Sequence, residues 1–175
     1  MLAEFPCGAQ TLCPTLGQND PSPGSSAPRE DTLTRTAQCC CGSLRLVATG
    51  DPTLVAACHC TECQRRTGAA FGVAAYFEKS QVKPEGTYKI YTRDGQEGRK
   101  VRIHFCPECG TSVYWDADFL PTHIGVAVGT FLDPSFPAPT RSVWEQSRYP
   151  WVNFNHDLEH FHQTSLSRNQ SECTG

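Results

Sequence analysis

The sequence predicts a small, mainly β domain whose strands run mostly antiparallel, with few and short helices. Three observations carry that expectation. Short apolar or alternating runs recur through the middle of the chain, separated by turns rich in Gly, Pro, Asp and Ser. No long stretch sustains a helical period. Asp94-Gly95 lies between two of the runs and is a strong hairpin turn signal.

At 175 residues the chain suits one domain with one real core. Residues 1–36 carry Pro6, Pro14, Pro21, Pro23 and Pro28 among Gly, Ser, Asp and Asn, with few apolar residues. Such a stretch buries too little to offset its ordering entropy. It reads as a disordered arm over 1–36, in which Cys7 and Cys13 are incidental. Strands are expected at 43–49, 71–77, 87–92, 100–105, 111–115 and 124–130. The run 100–105 alternates most cleanly, with Val101, Ile103 and Phe105 inward and Lys100, Arg102 and His104 outward. A single short helix fits 61–67, with Gly68 as its stop. The domain then runs 37–162, and 163–175 reads as a flexible polar tail.

Lys and Arg total 15 against 18 Asp and Glu, a formal charge of -3. With no basic excess to neutralise phosphates, nucleic acid is not an expected partner. No apolar run approaches the roughly 20 residues of a membrane span. Glu4 stands where a secretion signal would be apolar. The expectation is a cytoplasmic protein with no membrane partner.

Eleven cysteines without a secretion signal point to metal rather than disulfides. Three clusters lie inside the domain: Cys39-Cys40-Cys41-Gly42, Cys58-His59-Cys60-Thr61-Glu62-Cys63 and Cys106-Pro107-Glu108-Cys109-Gly110. The last is a zinc knuckle pattern, in which a tight turn aims two thiolates at one point and Gly110 tolerates positive φ. In extended chain, residues i and i+2 share a face. Cys39 and Cys41 can therefore reach one metal while Cys40 points away, and Cys58 and Cys60 can do so while His59 turns to the other side. Cys63 returns after a two-residue turn and completes a trio.

Seven thiolates make one closed four-ligand site and one three-ligand site with a vacant position, the arrangement of a catalytic zinc. Spacing leaves the partition open. Cys60 and Cys63 with Cys106 and Cys109 would make an ordinary pair of C-x-x-C motifs, as good on spacing as Cys39 and Cys41 with Cys106 and Cys109. All seven could also serve folding, with Cys40, a histidine or a loop group capping the second metal.

Several linked motifs resemble one family: Cys39-x-Cys41-Gly42, Cys58-His59-Cys60-x-x-Cys63-Gln64-Arg65-x-Thr67-Gly68 and Phe105-Cys106-Pro107-x-Cys109-Gly110-Thr111. Val128-Gly129-Thr130-x-x-Asp133-Pro134 and Pro150-Trp151 extend the likeness, which covers about 37–161. The chain resembles the glutathione-dependent formaldehyde-activating enzymes, a family that includes the centromere protein V group. The resemblance implies a β-rich Mss4-like fold. It also implies a structural zinc on Cys39, Cys41, Cys106 and Cys109, and a second, exchangeable catalytic zinc on Cys58, Cys60 and Cys63. At one point the chain departs from it: Ser142 stands where many members carry a His before the apolar–aromatic pair.

The activity implied is a carbon–sulfur lyase or synthase reaction joining glutathione and formaldehyde into S-hydroxymethylglutathione, or the reverse, with a small-molecule thiol and an aldehyde as partners. A thiol at an open zinc position is deprotonated, and holding it beside the carbonyl carbon supplies much of the rate gain. Three thiolates over-neutralise the ion, which favours thiolate delivery over attack by zinc-bound hydroxide.

Glutathione carries two carboxylates, so Arg65 and Arg66 are expected to bind them, although a helix C-terminus also attracts such cations. Glu62 is a candidate for moving a proton, or is simply solvated. Trp115, Trp144, Trp151, Phe71 and Tyr76 read as core. His156, His160 and His162 read as an exposed polar ending rather than a metal site. Two rivals remain: a non-catalytic zinc module of the centromere protein V type, and a zinc enzyme on the same scaffold acting on an imine or other carbonyl adduct.

Overall fold

A computed structural model describes residues 33–165. Most of the expected arm and tail, with Cys7 and Cys13, lies outside the described residues.

In chain order the elements are β1 (Thr34–Gln38), β2 (Leu44–Thr49), β3 (Leu54–Cys58), α1 (Thr61–Thr67), β4 (Gly72–Glu78) and β5 (Val82–Gly86). Then follow β6 (Lys89–Asp94), β7 (Lys100–Phe105), β8 (Ser112–Ala117), β9 (His123–Ala127), β10 (Arg141–Val143) and β11 (Glu159–His160), with short 3-10 turns between some of them. The fold is mainly β, as the alternating runs predict. Gly68, at φ 64, closes the helix by donating its N–H to the Gln64 carbonyl. Gly95 closes the β6–β7 hairpin by donating to the Arg99 carbonyl at 2.6 Å.

Two sheets form. One has the order β1-β2-β5; the other has the order β11-β10-β3-β4-β9-β8-β7-β6. Neighbours are antiparallel except that β10 runs parallel to both β3 and β11. Alternation along the large sheet's strands gives it two apolar faces. Val55, Ala75, Phe77, Val113 and Val126 pack against Ala37, Leu44, Leu46 and Ala48 of the small sheet in the main core. Ala74, Val101, Ile103, Trp115 and Ala117 form a second cluster, with Tyr76 and Phe119 packed against it.

Several details differ from the sequence reading. No strand was expected at 34–38, where β1 forms, and 34–36 pair with β2 rather than belonging to the arm. Strands β3, β5, β10 and β11 were not anticipated. The first is buried on both faces and lacks alternation; the last two are too short to show a period. The run 124–130 is strand only as far as Ala127, then turns into a 3-10 segment, Val128–Phe131. On β7 the in–out pattern fails at its end. His104 is buried, stacked 4.3 Å from the Tyr114 ring and bonded to Asp116 at 3.1 Å. His104 stays in register opposite Tyr114 and on the same face as Arg102, and the Tyr88 and Tyr114 rings cover that face at this point.

Candidate functional site

Two hairpin turns on different sheets are built alike. In the β1–β2 turn, Gly42 at φ 76 donates its N–H to the Cys39 carbonyl, and the Cys39 N–H bonds to the Leu44 carbonyl. In the β7–β8 turn, Gly110 at φ 73 donates to the Cys106 carbonyl, and the Cys106 N–H bonds to the Thr111 carbonyl. Packing of the two sheets sets the turns face to face. The sulfurs of Cys39, Cys41, Cys106 and Cys109 then lie within 4.8 Å of one another. Cys39 and Cys41 are 3.5 Å apart, and Cys41 and Cys106 are 3.6 Å apart. A tetrahedral zinc with bonds of about 2.3 Å sets its sulfurs about 3.8 Å apart, so this donor set fits such an ion. The Leu44 N–H donates to the Cys39 sulfur at 3.2 Å. Bonds from the Thr111 side chain and N–H lower Cys109 to about 5, whereas burial pushes Cys106 up to about 11. Cys40 turns away and accepts a bond from the Thr111 hydroxyl.

The second group belongs to one short segment. Cys58 ends β3, Cys60 caps α1 by accepting from the Cys63 N–H at 3.3 Å, and Cys63 lies in the first helical turn. Their three sulfurs also lie within 4.8 Å of one another. Three thiols this close share protons. Cys60 is lowered to about 2 by bonds from Cys58 and Cys63, and Cys58 is raised chiefly by donating to Cys60. For Cys63 a bond from Cys58 lowers the thiol, yet donation to Cys60 and burial win and raise it. Such a trio favours one thiolate alone and three only beside a cation, and its soft donors suit zinc.

The segment is pinned from behind. Gln64 donates to the His59 and Ser147 carbonyls at 2.8 and 2.9 Å, and the Ser147 hydroxyl donates to the His59 carbonyl at 3.1 Å. His59 points away from the trio and is fully buried, its Nε2 3.1 Å from the Ser142 hydroxyl. Ser142 in turn donates to Glu145, which also receives His160 at 2.7 Å.

The trio opens onto a cavity of about 1190 Å³. That is slightly larger than most small-molecule sites. Its floor is the second face of the large sheet, where Leu54 and Ala56 precede Cys58 along β3, and Gly72, Ala74 and Tyr76 follow along β4. Arg66 also lines it, stacked 4.5 Å over the Trp115 ring, as does Arg93 from β6. The acids on its rim are already engaged: Glu62 with Arg65, Asp94 with Lys100, and Glu97 with Arg99. Among the described residues neither Arg66 nor Arg93 has an ion-pair partner, and their charges favour the thiolates of Cys63 and Cys60 respectively.

These positions settle several expectations. Arg66 faces the cavity, but Arg65 does not; Arg65 projects with Glu62, three residues before it on the helix, and its side chain is 75% exposed. Arg93 has no signal in the sequence, because it reaches the cavity only through the β6–β7 hairpin. Tyr76, Trp115 and Trp144 line the cavity rather than only filling core, since the described residues leave part of the large sheet's second face open. Trp151 is 68% exposed rather than core, and Phe71 packs on His59. The late histidines do not converge: His156 bonds the Pro139 carbonyl, His160 pairs with Glu145, and His162 is exposed. Gln163, Thr164 and Ser165, expected in a loose tail, line the cavity.

A crystal structure of a Rhodobacter sphaeroides protein resembles the chain at 22% identity, covering 54% of this chain and 85% of the other, with a TM-score of 0.42. No curated protein matches the sequence. Residues 34–147 match the family described as glutathione-dependent formaldehyde-activating enzyme. That stretch takes in both cysteine groups and most of the two sheets, and the chain belongs to this family.

Proposed function

We propose that the protein is a zinc-dependent carbon–sulfur lyase or synthase that forms or cleaves S-hydroxymethylglutathione. The observation that carries this reading is the cysteine trio in the wall of a large cavity that also holds two arginines with no ion-pair partner among the described residues. In this reading Cys39, Cys41, Cys106 and Cys109 hold a structural zinc, and Cys58, Cys60 and Cys63 hold a second. A zinc held by these three thiolates would supply the positive charge that lowers the pKa of an entering thiol.

The chain's own residues do the rest. Arg66 and Arg93 bind the two glutathione carboxylates, with Arg66 held in place by its stack on Trp115. Leu54, Ala56, Val101 and Ile103 keep water from the reacting sulfur. Tyr76 is raised well above the usual phenol value by burial and by the neighbouring Cys58 and Cys63. Its ring meets Trp115 edge-on at 6.5 Å, and its phenol O–H is the group in this wall that bonds the aldehyde oxygen as charge develops there. Positioning then brings sulfur and carbonyl carbon together.

Among the described residues no helix is long and apolar enough to cross a membrane. The reading assigns the protein to the cytoplasmic glutathione pool. The test is adduct formation from glutathione and formaldehyde with zinc-loaded protein, followed by exchange NMR. Acceleration over the uncatalysed rate is expected; equal rates refute the reading. Parallel trials with other thiols and carbonyl electrophiles show whether the substrate pair is a different one.

A further inference from the structure

The segment after β11 makes a strap across the site. Strand β11 adds to β10 in parallel, and the backbone beyond it stays attached. The Phe161 N–H bonds the Ser142 carbonyl at 2.8 Å, and the Trp144 N–H bonds the Gln163 carbonyl at 2.8 Å. The Glu145 and Gln146 N–H groups bond the carbonyls of Phe161 and His162. A side-chain pair, His160 with Glu145, fixes the start of the strap. These anchors carry Gln163, Thr164 and Ser165 into the cavity wall beside Gln146 and Ser147.

Two features give the strap a role of its own. It lies beyond residues 34–147, the part that matches the family. It also differs in chemistry from the other walls. Among the described residues the cations that face the cavity without ion pairs are on α1 and β6, whereas the strap side is made of neutral amide and hydroxyl groups, with Gln163 donating to Gln146, and with Ser147, Thr164 and Ser165 beside them. A short thiol docked at the trio is held there by its sulfur. A peptidyl thiol carries amide groups as well as carboxylates, and amides pair with neutral amide and hydroxyl groups.

We propose that the strap is a specificity-determining wall, which selects a long, amide-bearing thiol over a short one. The proposal rests on the thiol-binding reading of the same cavity. Each hydrogen bond from the wall to a bound ligand is worth about a factor of 2–10 in affinity.

The test compares the full chain with two variants, the triple substitution Gln163→Ala, Thr164→Val, Ser165→Ala and a chain ending at His162. Circular dichroism and zinc content check that each variant is folded and loaded. The ratio of kcat/KM for glutathione to that for 2-mercaptoethanol, each with formaldehyde, is expected to fall about tenfold in both variants. The fall comes through the glutathione KM, with the 2-mercaptoethanol rate unchanged. A ratio that stays constant in folded variants overturns the proposal.

A second readout does not need turnover. After chelation, alkylation of Cys58, Cys60 and Cys63 is followed by mass spectrometry with iodoacetamide and with a bulky maleimide. Loss of the strap is expected to speed the bulky reagent several-fold and leave the small one unchanged; equal effects on both refute the wall. If the intact chain turns over no thiol, the enzymatic reading fails, while the alkylation ratio still decides whether the strap is a wall.

Discussion

The division of the seven cysteines can be tested by two single substitutions that look equivalent on paper. Cys106→Ser removes a fully buried sulfur that joins the β7–β8 turn to the β1–β2 turn, 65 residues away from Cys41 in sequence. A structural zinc contributes on the order of 10–16 kcal/mol to folding in small domains. That equals or exceeds the total stability of about 5–15 kcal/mol of an ordinary domain, so Cys106→Ser is expected to leave no cooperative unfolding transition. Cys60→Ser is different. Its sulfur caps α1 by accepting from the Cys63 N–H, and a serine hydroxyl is a preferred group for that position. The local cost is about 0.5 kcal/mol or less, a Tm change of roughly 2 °C. Thermal unfolding by circular dichroism is run after dialysis against a mild chelator, so that an exchangeable second ion contributes to neither protein. Zinc per chain is measured alongside, with two ions expected before dialysis and one after. Equal loss of structure in both variants, or loss of both ions together, would refute the division and leave all seven cysteines as scaffold.

Three further outcomes follow from particular contacts. A Cβ on Gly125 would lie 2.5 Å from the Trp115 indole, directly across β8 and β9, so Gly125→Ala is expected to cost about 1–3 kcal/mol in urea unfolding. It should also shift tryptophan fluorescence, because Trp115 forms part of the cavity wall; unchanged emission and stability would contradict the packing. Arg66→Ala is expected to raise KM for glutathione about tenfold while leaving that for an uncharged thiol within a factor of two, and equal effects on both would deny it a carboxylate. Burial alone would raise Asp116, but bonds from His104 and Arg102 outweigh it and hold the carboxyl below its usual 3.8. A depressed folded value means stability that is complete above the unfolded value and disappears as pH falls through the folded one. The urea midpoint difference between the native chain and Asp116→Asn should therefore be constant above about pH 5 and shrink below pH 4. A difference independent of pH would show that Asp116 acts through packing alone.

Much of the local structure was legible because its causes are local. Thr61–Thr67 needed only a capping residue before it and Gly68 after it. Strand β7 announced itself through Val101 and Ile103, since one face of it meets solvent and the other apolar neighbours. The same rule misled at His104, whose face, shared with Arg102 and Asp116, is covered at that point by Tyr88 and Tyr114. Strand β3 was missed because Val55, Ala56 and Ala57 are all buried, so burial on two faces erased the alternation.

The site divides along the same line. That Cys39 and Cys41 share a face, that Cys40 turns away, and that Cys58, Cys60 and Cys63 can converge are consequences of backbone period and turn length, and the sequence by itself determined them. Spacing could not say which pairs of cysteines meet, because the β1–β2 and β7–β8 turns are joined only by the packing of two sheets. Only the tertiary structure decided that Arg66 and Arg93 share a cavity while Arg65 faces solvent. It also decided that a polar ending at Gln163–Ser165 becomes a wall of that cavity. The physical reason is that these contacts are made between segments far apart in the chain. No local propensity records them; the strap's place in the cavity wall exists only once β10 lies parallel between β3 and β11.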